Sequence, residues 1–330
     1  MPILSAEEES VLADLTATCS DLFGFTMIEA EPIKRGWLNL KWKITTDSGV
    51  ILLKQYNKER FKKYNQEDLL FAFEQQTRLF THGFACPNLC TYQGNAFLDS
   101  AKGEYFLLMD YCEGDILPSG SLTKHQLYDL GRLTGKMHCI LNDGSLRRAS
   151  RAQFIPPSIK ERLAHWEDTK KRAIATGKEH LLPLFEAQAT ATETVCLEAL
   201  HTNDTGWAHR DLWVDNVLFK RNDVAAILDF DRLKYDYPQL DVARAILSGA
   251  LGREGLNTDF ALAFLDGYKE YHTVKQGFLA KSLLLLWYME STWWVHPKMD
   301  EEEGPPRRFQ LEMAWLAENL QHLGERLEGR

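Results

Sequence analysis

The stretch His209-Arg210-Asp211-Leu212-Trp213-Val214-Asp215-Asn216, followed closely by Ile227-Leu228-Asp229-Phe230-Asp231, sets several oxygen-bearing side chains at short intervals. Side chains of this kind suit phosphoryl transfer, which asks little covalent help of a protein. It needs an acceptor hydroxyl aimed in line, its proton accepted, and the phosphate charge neutralised by a divalent cation. A carboxylate beside the hydroxyl and oxygen ligands for a hard cation meet those needs.

The spacing has a geometric reading. Asn216 immediately precedes a short apolar strand, Val217-Leu218-Phe219. Arg221-Asn222-Asp223 turns the chain, and Val224 to Leu228 returns antiparallel to end at Asp229. Asn216 and Asp229 then lie at one end of a single hairpin, where two oxygen ligands make a Mg²⁺ site. Asp211, in the loop just before, is expected to point its carboxylate into the same space. A loop of solvated carboxylates is the bland alternative, and the ordered combination of Arg210, the hairpin and Asp-Phe-Asp argues against it.

The elements that must carry these residues show in the periodicities. A helix is expected over roughly Ala6 to Phe23. Residues 25 to 56 then alternate, with Leu38, Leu40, Trp42 and Ile44 on one face and an Asp47-Ser48-Gly49 turn into Val50-Ile51-Leu52-Leu53-Lys54. From about Gln66 to Thr81 the period becomes helical, with Leu69, Phe73, Leu79 and Phe80 on the apolar side, and Gly83 and Pro87 close the segment. Tyr105 to Met109 reads as another strand. From Leu122 onward the chain reads as helical, with Leu127, Leu130, Leu133 and His138 on one long segment and the β island at Val217–Phe230 inside it.

The layout predicts an α+β chain in three parts: a nucleotide-binding lobe over residues 1–109, a hinge over 110–115 and a helical lobe over 116–330. Two unlike lobes joined at a hinge provide a natural place for a cleft.

Bulk properties narrow the class. The chain has 330 residues, 45% hydrophobic and 26% charged, as in ordinary globular proteins. A net charge of −9 argues against a nucleic-acid partner and is compatible with a cationic one. The start of the chain does not read as a signal peptide, and the apolar run Leu283 to Met289 is too short to span a bilayer. A cytoplasmic protein without a membrane partner is expected. The six cysteines are scattered and read as reduced thiols; Cys86 and Cys90, with no second cluster, make a poor zinc site.

On these residues the chain resembles the aminoglycoside phosphotransferase superfamily, which includes aminoglycoside, choline and type II homoserine kinases. The resemblance covers nearly the whole chain and is strongest over residues 205–250. It implies a protein-kinase-like bilobal fold, with a small antiparallel β N-lobe carrying one key helix and a larger, mainly helical C-lobe. By the resemblance Asp211 is the catalytic base, and Asn216 and Asp229 hold Mg²⁺. His209 braces the loop and Asp231 supports the metal indirectly. Only nine residues separate Asp231 from Asp241-Val242-Ala243, and no Ala-Pro-Glu follows, so a peptide-docking platform has no room. The acceptor is expected to be a small hydroxylated molecule, and the nucleotide ATP, with GTP as the alternative.

The upstream parts follow in family order. Lys54 ends its strand where the family places the lysine that binds the α- and β-phosphates. Glu74 is its expected carboxylate partner, with Glu67 the rival. The phosphate-covering loop falls at Gly36-Trp37-Leu38-Asn39, and Asn39 is counted with the nucleotide-binding residues. Asp110 to Cys112 resembles the adenine-facing hinge behind Met109. For the acceptor, Trp213 stands beside Asp211, while Trp287 and Trp294 lie near Glu290 and the acidic run Asp300 to Glu303. Aromatic faces with carboxylates would suit an ammonium-bearing alcohol such as an aminosugar, choline or an amino-alcohol. Tryptophans at helical spacing are equally a core pattern, and an acidic run is usually solvated. A non-catalytic kinase-like scaffold, such as a spore-coat-type protein, is the competing class.

Overall fold

The computed structural model describes residues 5–34, 39–146, 151–152, 154–201 and 204–328. Of the expected phosphate-covering loop, Gly36, Trp37 and Leu38 lie outside the described residues. The chain divides into two compact units, residues 1–115 with 225–233, and residues 116–224 with 234–330.

The first unit opens with helix α1 (Ala6–Phe23), whose Ser5 and Glu8 form a reciprocal capping box. Strands β1 (Met27–Pro32), β2 (Lys41–Thr46) and β3 (Gly49–Gln55) follow, then the short α2 (Lys58–Phe61) and α3 (Gln66–Thr81). Strands β4 (Leu98–Asp99) and β5 (Tyr105–Asp110) complete an antiparallel sheet of order β1-β2-β3-β5-β4. Thr46 pairs with Gly49 across the expected Asp47-Ser48 turn, which sets the β2–β3 register. In that register Trp42 and Ile44 are buried and join Leu15, Leu53, Phe106 and Leu108 in one core cluster. A second cluster, around Tyr56, Leu69, Phe73 and Met109, packs α3 on the sheet. Phe80, expected on the apolar side of α3, is instead exposed: it follows Leu79 by one position, about 100° round the helix.

Residues 225–233, which the sequence reading assigned to the helical remainder, cluster with this first unit. Ile227 donates its backbone N–H to the Ala85 carbonyl at 2.8 Å, and Ile227 and Phe230 are both fully buried.

The second unit is built from α4 (Lys124–Leu141), α5 (Ile159–Ala175), α6 (Leu182–Glu193) and α7 (Leu197–His201), then strand β6 (Gly206–Ala208). The chain continues through β7 (Val217–Lys220) and β8 (Asp223–Ile227), which pair as a two-stranded sheet. After β9 (Lys234–Asp236) come α8 (Pro238–Ala250), a two-residue ribbon β10 (Leu251–Gly252) and β11 (Gly255–Leu256), α9 (Thr258–Tyr268), α10 (Phe278–Trp294) and α11 (Pro305–Glu328). Helices α4 and α9 approach so closely that a Cβ at Gly131 would lie 1.9 Å from the Phe264 carbonyl oxygen, and one at Gly267 would lie 2.0 Å from that of Tyr128. Only glycine permits that approach. The β6–β9 ribbon was not foreseen, because strands of three residues leave no readable alternation. It delivers the chain into the loop that begins at His209. Among the described residues no helix is long and apolar enough to cross a membrane.

Candidate active site

The loop from His209 to Asn216 is bolted to α8 at two points. The Asp241 carboxylate accepts the backbone N–H of His209 at 2.6 Å and that of Arg210 at 2.8 Å. Two turns further along the helix, the Ser248 hydroxyl accepts the N–H of Val214 at 3.1 Å. Asp241 is itself held by His138 of α4, whose Nε2 lies 3.0 Å away, while Nδ1 meets the Tyr268 hydroxyl at 3.1 Å. Burial pushes the Asp241 carboxyl up, but the His138 hydrogen bond and the neighbouring positive groups outweigh it and hold the group below the usual carboxylate range. His138 is thus a satisfied core histidine with a positioning duty the sequence did not announce.

Within the loop, His209 is fully buried and accepts the Asp211 N–H on Nδ1 at 3.2 Å. This fits a brace. Asn216 donates its Nδ2 to the Asp211 backbone carbonyl at 2.8 Å and to its Oδ2 at 3.1 Å. The amide nitrogen is therefore committed to Asp211, and oxygen is the atom Asn216 has to offer a cation. Arg210 holds a left-handed backbone, φ +64°, with its guanidinium on Asp236 at 3.0 Å. For a residue with a Cβ such a backbone costs on the order of 1–2 kcal/mol, which the pinning by Asp241 and Asp236 offsets.

The first unit holds the other half of the expected constellation. Lys54, almost wholly buried near the end of β3, donates to Asp229 Oδ1 at 2.9 Å and to Asp231 Oδ2 at 2.8 Å. Tyr56 closes the arrangement by donating its hydroxyl to Asp231 Oδ1 at 2.8 Å. Burial alone would lower the Lys54 pKa, but the charges of Asp229 and Asp231 win and keep the ammonium protonated. Burial first, then Asp231 beside it, pushes the Tyr56 phenol well up, so it remains a donor. Lys41, directly opposite Lys54 in β2, adds a second ammonium, whose pKa burial pulls down against the pull of Asp229. Asp229, like Arg210, sits at positive φ, +63°.

Several expectations require correction. The carboxylates on Lys54 are Asp229 and Asp231; Glu74 is exposed on α3, and so is its rival Glu67. Residues seven positions apart face one way on a helix, so the pattern could not choose between them, and neither turns toward the lysine. Trp287 is fully buried, with its N–H on Gln188 Oε1 at 2.7 Å, so it belongs to the core and not to a substrate surface. Trp294 is half-buried and donates to Glu290 at 3.1 Å. In the acidic run, Asp300 is engaged by Lys178 and His180, and Glu301 by Lys178. Asn39 accepts the Asn57 N–H at 3.1 Å and so ties the start of β2 to α2. Asp110 closes β5 with its N–H on the Asn88 carbonyl at 3.0 Å, and Cys112 just beyond carries a thiol that burial pushes up.

The sequence reading missed Lys41, Tyr56 and a charged group in the second unit: Arg244 of α8, Glu290 of α10, and Arg308 and Glu312 of α11. Arg244 donates to Glu312 Oε2 at 2.5 Å and to Glu290. Burial alone would lower the Arg244 pKa, but Glu290 and Glu312 outweigh it and the Asp211 charge adds to their upward pull. Arg244 directly follows the Asp241-Val242-Ala243 run, the one cue that could have drawn attention to it.

Among the described residues no three His, Cys, Asp or Glu side chains gather closely enough to hold a metal by themselves. Mg²⁺ in phosphate chemistry asks for less, typically one or two protein oxygens with phosphate and water supplying the rest. In the second unit the oriented amide oxygen of Asn216 is a donor of that type, and in the first unit so is the Asp229 carboxylate.

Over residues 29–278 the chain matches the model of the phosphotransferase enzyme family. The chain belongs to that family. It is similar to the homoserine kinase of Xanthobacter autotrophicus, 26% identical over 263 residues that span 78% of this chain and 76% of the relative. The homoserine kinase of Allorhizobium ampelinum is 25% identical over 245 residues, 73% of this chain and 71% of the relative. Among solved structures, an AMP-bound spectinomycin phosphotransferase superposes with a TM-score of 0.65 at 16% identity, covering 94% of this chain and 98% of that one. A choline kinase from Cryptosporidium parvum gives 0.57 at 14% identity, covering 96% and 99%. The fold is thus protein-kinase-like, mixed α+β, and the family member is an enzyme of the small-molecule kinase class.

Proposed function

We propose that the enzyme moves the γ-phosphate of ATP, with Mg²⁺, to the hydroxyl of a small amino-alcohol of the homoserine kind. Asp211 orients the acceptor hydroxyl and takes its proton. Asn216 and Asp229 hold the metal, and Lys54 binds the phosphates. The metal, when bound, neutralises charge on the phosphates and aligns them for displacement. The observation that carries this reading is the double hydrogen bond from Asn216 to Asp211, which ties a candidate metal ligand to a candidate base within one rigid loop. Lys54 supports it from the strand-rich unit: its ammonium is buried, charged and already shared with Asp229, the other candidate ligand. The homoserine kinase relatives, each similar over about three quarters of the chain, favour a hydroxy amino acid over an aminoglycoside as acceptor.

The test is a coupled ADP-release screen over L-homoserine, choline, ethanolamine, simple sugars and aminoglycosides, run with Asp211→Asn beside the parent enzyme. A fall in turnover of at least ~10²-fold is expected for Asp211→Asn, the usual weight of general base catalysis. Unchanged turnover would remove Asp211 from the mechanism.

A further inference from the structure

The charged group beneath the His209–Asn216 loop is internally unequal. Arg244 is saturated by its two glutamates, and Glu290 also takes the Trp294 N–H. Arg308 is not saturated. Its Nε stands 3.4 Å from Glu312 Oε1 and its Nη1 3.5 Å from Asp215 Oδ1, yet neither Nε nor Nη2 has a hydrogen-bond partner. The Trp213 Nε1 and Glu312 Oε1 lack one as well. The guanidinium lies 4.3 Å over the Trp213 ring and 4.8 Å from that of Phe309, with about a fifth (19%) of its side chain open to solvent.

A guanidinium between aromatic faces, stripped of most of its water and short of acceptors, gains most from a planar anion that offers two oxygens. Arg244 already answers Glu290 and the Oε2 of Glu312, whereas Nε and Nη2 of Arg308 and Nε1 of Trp213 are three N–H donors without an acceptor, which calls for acceptor oxygens at this guanidinium. Trp213 carries the argument to the reaction centre, since it stands two residues after Asp211. Its ring position is fixed by Arg308 on one side and Phe309, in edge contact at 5.2 Å, on the other.

From this geometry we propose that Arg308, backed by Trp213, is the binding point for a carboxylate carried by the acceptor alcohol, which makes the substrate class hydroxy acids and hydroxy amino acids. The proposal rests on the kinase reading for the identity of the acceptor, but the anion site stands on its own contacts. Asp215 at 3.5 Å and Glu312 at 3.4 Å hold Arg308, and its Nε and Nη2 are sealed from solvent, so the proposal requires the side chain to turn for the anion to reach them.

Two readouts separate the ideas. Calorimetric binding of L-homoserine, 4-hydroxybutyrate and 3-aminopropan-1-ol to the full chain, with a non-hydrolysable ATP analogue and Mg²⁺, needs no turnover. The two carboxylates are expected to bind and the amino-alcohol lacking one to bind about 10- to 100-fold more weakly, the equivalent of a charged hydrogen bond or two. Arg308→Gln is expected to erase that difference, and Arg308→Lys, which keeps charge without the fork, to retain part of it and to guard against a folding defect in the first variant. In the ADP-release assay the same loss should fall on KM for the acceptor and leave KM for ATP unchanged. Equal binding of the three alcohols by the parent enzyme, no binding by any, or an undiminished carboxylate preference in Arg308→Gln would each overturn the site. Failure of the kinase reading would look different: Asp211→Asn without effect on turnover, with the Arg308-dependent preference intact.

Discussion

Two buried charge clusters, one in each unit, solve the same electrostatic problem in opposite ways. Around Lys54, one ammonium meets two carboxylates, and the spare oxygen of Asp231 is taken by the Tyr56 hydroxyl. Around Arg308, one guanidinium meets two carboxylates at 3.4 and 3.5 Å, and two of its nitrogens hold no hydrogen bond. Burying a charge is costly unless hydrogen bonds replace the lost water, so the first cluster is a finished piece of structure and the second is a piece awaiting a partner. The difference suggests a division of labour. Under the proposed roles, the nucleotide end of the reaction is uniform from turnover to turnover and can be held ready, while the acceptor end must recognise something that supplies the missing contacts.

The most severe way to break the comparison is to remove Lys54. In Lys54→Met the hydrocarbon stem remains, but Asp229 and Asp231 face each other without the cation that separates them, in a place where Asp231 has almost no solvent. Taking one partner from a buried pair costs on the order of 3–5 kcal/mol. Denaturant unfolding should show a loss of that size, and nucleotide-dependent turnover should vanish with it. A stability close to that of the parent would mean the lysine is not the keystone of the cluster.

How much of this was open to a reader of the chain depends on how local the cause is. The Asp211–Asn216 loop and the Asp229-Phe230-Asp231 turn flank the β7–β8 hairpin, and each was legible as a local stretch. The register of β2 and β3 followed from Asp47-Ser48-Gly49, and α1 and α3 came out at their observed bounds, since alternation and 3.6-residue periodicity are backbone properties. Tertiary choices were not legible. Nothing in the spacing says that Lys54 prefers Asp231 to Glu74, or that Trp287 points at Gln188 while Trp213 lies under Arg308. The Arg308 cluster joins α8, α10 and α11 to a loop before them, and arginines and glutamates on helices carry no sign that they are buried. Asp241 was noticed only as the start of a helix, although its carboxylate holds two backbone amides of the loop.

A milder intervention sharpens the comparison. Asp231→Asn keeps the shape, keeps an acceptor for Tyr56 and removes one negative charge, so Lys54 remains held by Asp229 alone. Loss of one charge-assisted hydrogen bond amounts to about 1.5–3 kcal/mol. The expected result is a moderate drop in stability together with a several-fold rise in KM for ATP, because a lysine with one anchor is less well aimed. If KM for ATP stays put while stability falls, Asp231 is only structural.

The smallest expected effect tests Glu74, the carboxylate first expected on Lys54 in place of Asp229 and Asp231. Glu74 is exposed on α3, so Glu74→Gln should shift stability by no more than about 0.5 kcal/mol, as at most surface positions, and leave KM for ATP unaltered. The physical ground is that Lys54 already spends its donors on two nearer anions, and an exposed glutamate would surrender its hydration to compete with them. A tenfold rise in KM for ATP in Glu74→Gln, with stability unchanged, would show that α3 turns inward when nucleotide is bound and that Glu74 replaces one of the aspartates once metal claims it. The finished cluster around Lys54 would then be a resting arrangement, and the contrast with Arg308 would become one of timing.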